Sequence, residues 1–348
     1  MHAESSPGAF AVFDTFARKK HTFRMPTFIQ HTNADAASLA AEAAKGLLSK
    51  PASIPPKFFY DDLGSRLFSA ITALPEYYPT RTEAAILAAH ATAIAAATRA
   101  RCGNAPTMVD LGAGNCEKAR SLFATFRPSR YVAVDISAAY LQDVLACLYR
   151  EQPEIDMVGV GTDFSSRLEL PEHLLSGPAL LFYPGSSIGN FEPAAAARFL
   201  RDARRASRGG ALLIGVDLIK PVEVLEPAYD DALGVTAAFN LNALSHLNRL
   251  IGSDFDVAQW RHVAFFDRAH SRIEMHLEAR RAVAVRWPAS MSEHGLLERR
   301  FEAGERILTE YSHKWERERF ARLLRDAGFD DVQVWTDDRA WFAVMLAQ

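Results

Sequence analysis

Between residues 107 and 216 the chain alternates short apolar runs with longer stretches of helical character, and no other feature restricts its fold as much. The runs cover 107–111, 131–135, 156–160, 179–183 and 211–216. Apolar residues make up most of each run, as expected of strands buried on both faces. Helices over 138–149 and 193–205 fit between them, the second opening on Pro193, where a missing N–H leaves no intrahelical bond unmade. This rhythm predicts a parallel sheet with helices on both sides.

Upstream, Thr80-Arg81-Thr82-Glu83 has the spacing of a capping box and predicts that a helix begins there, ahead of the alanine-rich run 84–97. Downstream of Val216 the rhythm changes to a helix over 236–249 and alternating segments over 262–287. In Arg272-Ile-Glu-Met-His-Leu-Glu-Ala279 every second residue is apolar, which predicts a strand with one buried and one wet face. The tail then returns to the first style, with a helix over 316–327 stopped by Gly328 and strands near 332–335 and 341–346 that can close the sheet as an antiparallel pair. The expected class is α/β: a Rossmann-like domain over 82–218, completed by 315–348, with a second, smaller α+β domain over 219–314. Residues 1–81 supply an N-terminal extension and part of the second domain.

Charge narrows the partner. Lys plus Arg (39) nearly balances Asp plus Glu (42), with no run of like charges to track nucleic acid, so a small molecule is expected. The stretch 84–97 is interrupted by His90 and Thr92 and is shorter than the roughly 20 residues of a membrane span. The basic cluster Arg18-Lys19-Lys20 precedes no hydrophobic signal core, and the first thirty or so residues read as an extension of unassigned use. Three cysteines, Cys102, Cys116 and Cys147, form neither a disulfide framework nor a zinc ribbon, which points to a reducing, cytoplasmic setting and to no metal.

Three strand ends carry the chemistry. Asp110-Leu-Gly-Ala-Gly-Asn-Cys-Glu117 follows the first strand and opens toward a helix, where Gly112 and Gly114 let the backbone approach a nucleotide-like ligand. Asp135 ends the second strand, placed for a carboxylate to take both hydroxyls of a ribose. After the third strand, the Asp163 carboxylate can meet an adenine amino group while the Phe164 ring packs on the base. Lys118 can reach a carboxylate on the ligand, although a lysine in a first helical turn is more often solvated. Together these ends describe an adenosine pocket. The dinucleotide pattern's third glycine is missing and the antiparallel tail is more typical of methyltransferases, so a nicotinamide cofactor is the secondary reading.

Three further segments bring a family into view: Pro55-Pro56-Lys57-Phe58-Phe59-Tyr60-Asp61, Leu74-Pro75-Glu76-Tyr77-Tyr78-Pro79-Thr80-Arg81 and Gly185-Ser186-Ser187-Ile188-Gly189-Asn190-Phe191. With Ala228-Tyr229-Asp230-Asp231, Gly234-Val235-Thr236-Ala237-Ala238-Phe239-Asn240 and Thr309-Glu310-Tyr311-Ser312, they resemble the histidine Nα-methyltransferases of ergothioneine biosynthesis. The likeness runs from about Pro51 to the C-terminus. It departs from the family pattern at Asn115-Cys116, where small hydroxyl residues are expected, and at the long extension.

The resemblance implies a class I methyltransferase that uses S-adenosylmethionine to methylate the α-amine of histidine three times, giving the betaine hercynine. It places Tyr60, Tyr77, Asn190 and Tyr229 at the backbone end of the amino acid, with Asn190, Tyr60 and Tyr229 closest to the chemistry. Glu310 and Ser312 would meet the imidazole, and Met275 would line the pocket; Thr236 and Phe239 match further positions. Residues 310 and 312 point to one face of a strand, and a carboxylate plus a hydroxyl can pair with two ring nitrogens. From its neighbours alone, Glu310 stands equally as half of a surface ion pair with Lys314 or Arg306. Tyr311 should point to the other face. Two alternatives stay open: the same chemistry on another aromatic amino acid, and a non-catalytic protein that binds the donor or an amino acid.

Overall fold

A computed structural model of the chain describes residues 26–30, 36–165, 167–289 and 295–348. The basic cluster at 18–20 and most of the expected extension lie outside them. In chain order the strands are β1 (Thr27–Gln30), β2 (Ala52–Ser53), β3 (Thr107–Leu111), β4 (Arg130–Asp135), β5 (Asp156–Gly161), β6 (Ala179–Tyr183), β7 (Ala211–Asp217), β8 (Trp260–Asp267), β9 (Arg272–Ala279), β10 (Val283–Pro288), β11 (Leu296–Phe301), β12 (Arg306–His313), β13 (Val332–Thr336) and β14 (Phe342–Ala347). The helices are α1 (Ala36–Leu48), α2 (Asp62–Thr72), α3 (Tyr78–Cys102), α4 (Glu117–Phe126), α5 (Ala138–Glu151), α6 (Pro193–Ala206), α7 (Val222–Leu225), α8 (Val235–Ile251) and α9 (Arg317–Asp326).

The large sheet has eight strands in the order β1-β5-β4-β3-β6-β7-β14-β13. Strands β1 and β3 to β7 run parallel, while β14 pairs antiparallel with β7 and β13 antiparallel with β14. This is the expected Rossmann-like class I methyltransferase arrangement, closed by the expected antiparallel pair. The period of two that the apolar runs conceal reappears in the packing. Val109, Leu111, Val132 and Val134 join a core with α6 and α9, whereas Met108, Tyr131 and Ala133 join a second core with α3, α4 and α5.

The smaller sheet, in the order β2-β12-β9-β8, is covered by α1, α2 and α8. Its inner face presents Ile273, Met275 and Leu277 to Phe59, Phe239 and Leu247. The other face of β9 is not wet as expected: Arg272, His276 and Glu278 are each buried. Strand β9 is flanked on both sides, so long neighbouring side chains cover this face. Arg261 and Arg306 both donate to Glu278, and the Phe265 ring stacks on His276 at 5.5 Å.

Two further expectations change. Helix α3 begins at Tyr78, not behind Thr80, with a proline in its first turn. Glu83 therefore lies inside the helix, buried at 1% exposure, and caps nothing. It lies against Gly215 of β7, where a Cβ would fall 1.9 Å from its Oε1. Residues 27–30 are not mere extension either. They form the sheet's edge strand beside β5, with Phe28 filling the space that Gly159 leaves open.

The C-terminal ends of β3 to β7 share one edge of the large sheet, and β12 of the small sheet reaches that edge. Gly189 makes this approach possible, because a Cβ there would lie 2.8 Å from the His313 carbonyl oxygen.

Candidate active site

The loop after β3 turns through Gly112 at φ 71° and Gly114 at φ 52°, and Cys116 at φ 58° starts α4 in the same left-handed region. The Gly112 and Ala113 N–H groups donate to the Val134 carbonyl at 2.8 and 3.1 Å, holding the loop against the end of β4. Asp135 completes the brace, accepting from Gly114 N at 2.9 Å and from Ser137 N at 2.8 Å. Burial pushes its pKa up, and those backbone donors offset only part of that rise.

Asp163 accepts from Ser165 N and from Lys57 Nζ, each at 2.9 Å. Burial would raise its pKa, but the Ser165 and Lys57 bonds outweigh burial and hold it below the ordinary value. The Phe164 ring packs 6.0 Å from Tyr183, and its tip lies 3.9 Å from where a Gly112 Cβ would sit. Gly112, Gly114, Asp135 and Phe164 thus surround one loop. Lys118 is partly exposed but not free: it pairs with Glu83 at 2.7 Å, and the other Glu83 oxygen accepts from Gly185 N at 2.7 Å. Asp110, buried at 2% exposure, accepts from Tyr131 OH at 2.7 Å, while its Oδ1 has no partner. Burial lifts Asp110 to about 7.

Across the cleft, Asn190 donates to Glu310 at 3.2 Å, and Tyr229 OH lies 2.8 Å from Ser312 Oγ. Met275 pairs with Glu310 in the sheet register. The Tyr77 ring lies 6.2 Å from Tyr229 and 6.2 Å from Phe68, and Phe68 in turn lies 5.8 Å from Tyr60. Phe239 supports the Tyr60 ring at 5.8 Å, and Thr236 is buried in the first turn of the same helix. Tyr311 points away, its ring under the Arg272 guanidinium at 3.5 Å.

Glu310 is no half of a surface pair. It is buried, Arg306 is engaged by Glu278, and burial lifts its pKa to about 7 against the opposing pull of Lys314 and Asn190. Tyr60, Tyr77 and Tyr229 are held well above the ordinary phenol value, chiefly by burial.

A buried polar network behind this face escaped the sequence reading. Lys314, fully buried, donates to Tyr229 OH at 2.7 Å, to Ser312 Oγ at 2.8 Å and to Asp217 Oδ2 at 2.8 Å. Asp217, at the end of β7, also accepts from Tyr78 OH and Lys220. Burial would raise Asp217, but the two lysines bring it below the ordinary value. His262 donates through Nε2 to the Tyr229 carbonyl and accepts from Asn240 at Nδ1, both at 2.8 Å, a pairing that requires the neutral ring. Burial accordingly lowers its pKa. The signal for Lys314 was present: residues 310, 312 and 314 share one face of an extended chain. A lysine just past a strand nevertheless reads first as solvated.

The two sides meet at one short turn, Pro56–Phe59, and the two residues after it. Lys57 holds Asp163, the Tyr60 carbonyl accepts from the Ser137 hydroxyl at 3.2 Å, and Asp61 caps α2 while accepting from Asn242 of α8. Among the described residues no group of His, Cys, Asp and Glu could hold a metal ion, and no helix is long and apolar enough to cross a membrane.

A family described as histidine-specific, SAM-dependent methyltransferase matches residues 39–348. The histidine N-alpha-methyltransferase of Mycolicibacterium smegmatis is 42% identical over 322 residues, covering 90% of this chain and 97% of that one. That of Mycobacterium tuberculosis is 40% identical over 325 residues, covering 91% and 97%. Ergothioneine biosynthesis protein 1 of Neurospora crassa is 30% identical over 308 residues, 86% of this chain and 33% of that longer one.

Proposed function

The chain belongs to the histidine-specific, SAM-dependent methyltransferases, and from that membership we propose that it methylates the α-amine of L-histidine three times, giving the betaine hercynine for ergothioneine synthesis. One observation carries the substrate assignment: Glu310 and Ser312 lie on the same face of β12, beside Asn190 and Tyr229.

The donor side suits S-adenosylmethionine. A side chain at 112 would close the gap to Phe164, and Asp135 is fixed at the strand end where a ribose carboxylate is needed. We assign Gly112, Gly114, Asp135, Asp163, Phe164 and Lys118 to this ligand, with Lys118 acting together with Glu83. When bound, it supplies an electrophilic methyl carbon on a sulfonium. The chain's task is then to hold an unprotonated amine in line with that carbon.

Asn190, Tyr60 and Tyr229 orient the amine, and Tyr77 packs beside them. Partial desolvation favours the neutral amine that attacks. As methyl groups accumulate, the nitrogen becomes a fixed cation without N–H donors, and the faces of Tyr60 and Tyr77 stabilise it. Glu310 accepts from the imidazole N–H, Ser312 meets the second ring nitrogen and Met275 packs beside them. In domain terms, 82–218 and 315–348 hold the donor and supply Asn190, while 219–314 and part of 1–81 supply the rest of the amino-acid site. Three free cysteines suit a reducing cytoplasm, and neither side of the cleft calls for nucleic acid.

The test is incubation with the donor and a mixture of the common amino acids, read as mass shifts. Histidine is expected to gain three methyl groups while tryptophan and tyrosine stay unmodified. Equal use of the three would remove Glu310 and Ser312 from imidazole recognition.

A further inference from the structure

We propose that Lys314 is a positioning residue that fixes the direction of the Ser312 hydroxyl and so selects a neutral imidazole with one accepting nitrogen. The proposal deepens the functional reading above and rests on it.

The argument is a count of hydrogens. An ammonium group has three N–H donors and no acceptor. Lys314 is 0% exposed at its side chain, and its partners are Asp217, Tyr229 OH and Ser312 Oγ, at 2.7 to 2.8 Å. Both hydroxyl oxygens therefore accept from Lys314. They also lie 2.8 Å from each other, so one of them donates to the other. A phenol, with a pKa of about 10, is a far stronger acid than an alkyl alcohol, hence the better donor and the poorer acceptor. Tyr229 therefore donates to Ser312. With both lone pairs of Ser312 taken, only its hydrogen remains to be offered.

Ser312 lies on the face of β12 that packs against the turn carrying Gly189 and Asn190, and the Asn190 amide holds Glu310 on that same face. The face thus presents one acceptor, Glu310, and one donor, Ser312. A neutral imidazole answers with one N–H and one lone pair. An imidazolium or an indole cannot, because neither has a ring nitrogen that accepts, and the buried Ser312 hydrogen would go unpaired. Asp217 keeps Lys220 and Tyr78 as partners when Lys314 is replaced, so the anchor survives the substitution that tests the idea.

The experiment compares kcat/KM for three substrates in the intact protein and in Lys314→Met. They are histidine, β-(thiazol-4-yl)alanine, which has an accepting nitrogen but no N–H, and β-(pyrrol-3-yl)alanine, which has an N–H at the position of the other ring nitrogen but no accepting nitrogen. Histidine and the thiazole should lose about 10- to 100-fold in the variant, while the pyrrole is unchanged or improved. A uniform loss on all three would mean a merely structural role and would overturn the proposal. Should Lys314→Met fail to fold, the intact protein decides. Ring-15N-labelled histidine, bound with the demethylated donor at pH 8, where Glu310 is ionised, should show one protonated and one bare ring nitrogen, and two protonated nitrogens would overturn the proposal. If the intact protein leaves histidine unmethylated, the functional reading itself falls, and this inference falls with it.

Discussion

The donor and acceptor sides of the cleft are held in different ways. On the donor side the anchors are mostly backbone N–H groups: Asp135 takes Gly114 and Ser137, and Asp163 takes Ser165 together with the Lys57 side chain. On the acceptor side they are side chains far apart in sequence: Asn190 with Glu310, and Tyr229 with Ser312 and Lys314. A backbone-held site tolerates changes in its surroundings, whereas a side-chain network fails together when one member goes. The difference predicts which substitutions should stay on one side.

The largest effects should come from a matched pair. Asp135→Ala removes the ribose carboxylate and the brace on the glycine loop, so donor affinity and turnover at fixed donor should both fall about a thousandfold. Histidine binding, measured by calorimetry, should be nearly unchanged. Asn190→Ala should do the reverse, lowering kcat about a hundredfold while donor affinity holds. If either substitution weakened both ligands alike, the two sides would not be separable, and unchanged steady-state rates would remove Asn190 from the mechanism.

The same contrast explains what the sequence disclosed. The sheet and the glycine loop were legible because each depends on a short stretch: apolar runs with turns between them, and Gly112, Gly114 and Asp135 at successive strand ends. The boundaries of α3 were not, because the Thr80 to Glu83 spacing imitates a cap while Tyr78 and Pro79 begin the helix. What Glu83 does depends on Gly185 and Lys118, which no local pattern connects to it. The wet face expected for β9 failed for a similar reason, since Arg261 and Arg306 arrive from the two neighbouring strands. On the acceptor side, Tyr60, Tyr77, Asn190 and Tyr229 came from the family resemblance alone. Lys314 came from neither route: it shares a face with residues 310 and 312, but the partners that bury it, Asp217 at the end of β7 and Tyr229, lie in separate segments.

Glu83 gives a medium-sized test, because it is the buried carboxylate joining the donor helix α4 to the loop that carries Asn190. One oxygen holds Lys118 and the other holds Gly185 N. Glu83→Gln keeps only one acceptor and removes the charge facing Lys118. It should weaken donor binding and lower kcat by about tenfold each, a joint loss that neither side alone would give. A loss confined to donor affinity would show that Gly185 holds its loop without Glu83.

The smallest effect is the most diagnostic, since it depends on sign. Glu310 sits at about 7 against an ordinary 4.5, raised chiefly by burial, whereas Asp163 lies below its ordinary value. From about pH 4.5 to 7 the folded protein keeps a Glu310 proton that the unfolded chain has released, so this group's contribution to stability falls as pH rises and stays unfavourable above 7. Asp163 works in the opposite sense: its contribution is present above the ordinary 3.8 and is lost as pH falls further. At pH 8, Glu310→Gln should therefore raise the melting temperature by a few degrees and Asp163→Asn should lower it, with the Glu310→Gln difference shrinking toward pH 4.5. Thermal unfolding at the two pH values, alongside kcat/KM for histidine, is the measurement. A Glu310→Gln protein that is more stable yet poorer with histidine would mean that the buried carboxylate is kept for recognition at the expense of stability. One that melts lower at pH 8 would mean that Asn190 and Lys314 already compensate for its burial, and the acceptor side would then be as well braced as the donor side.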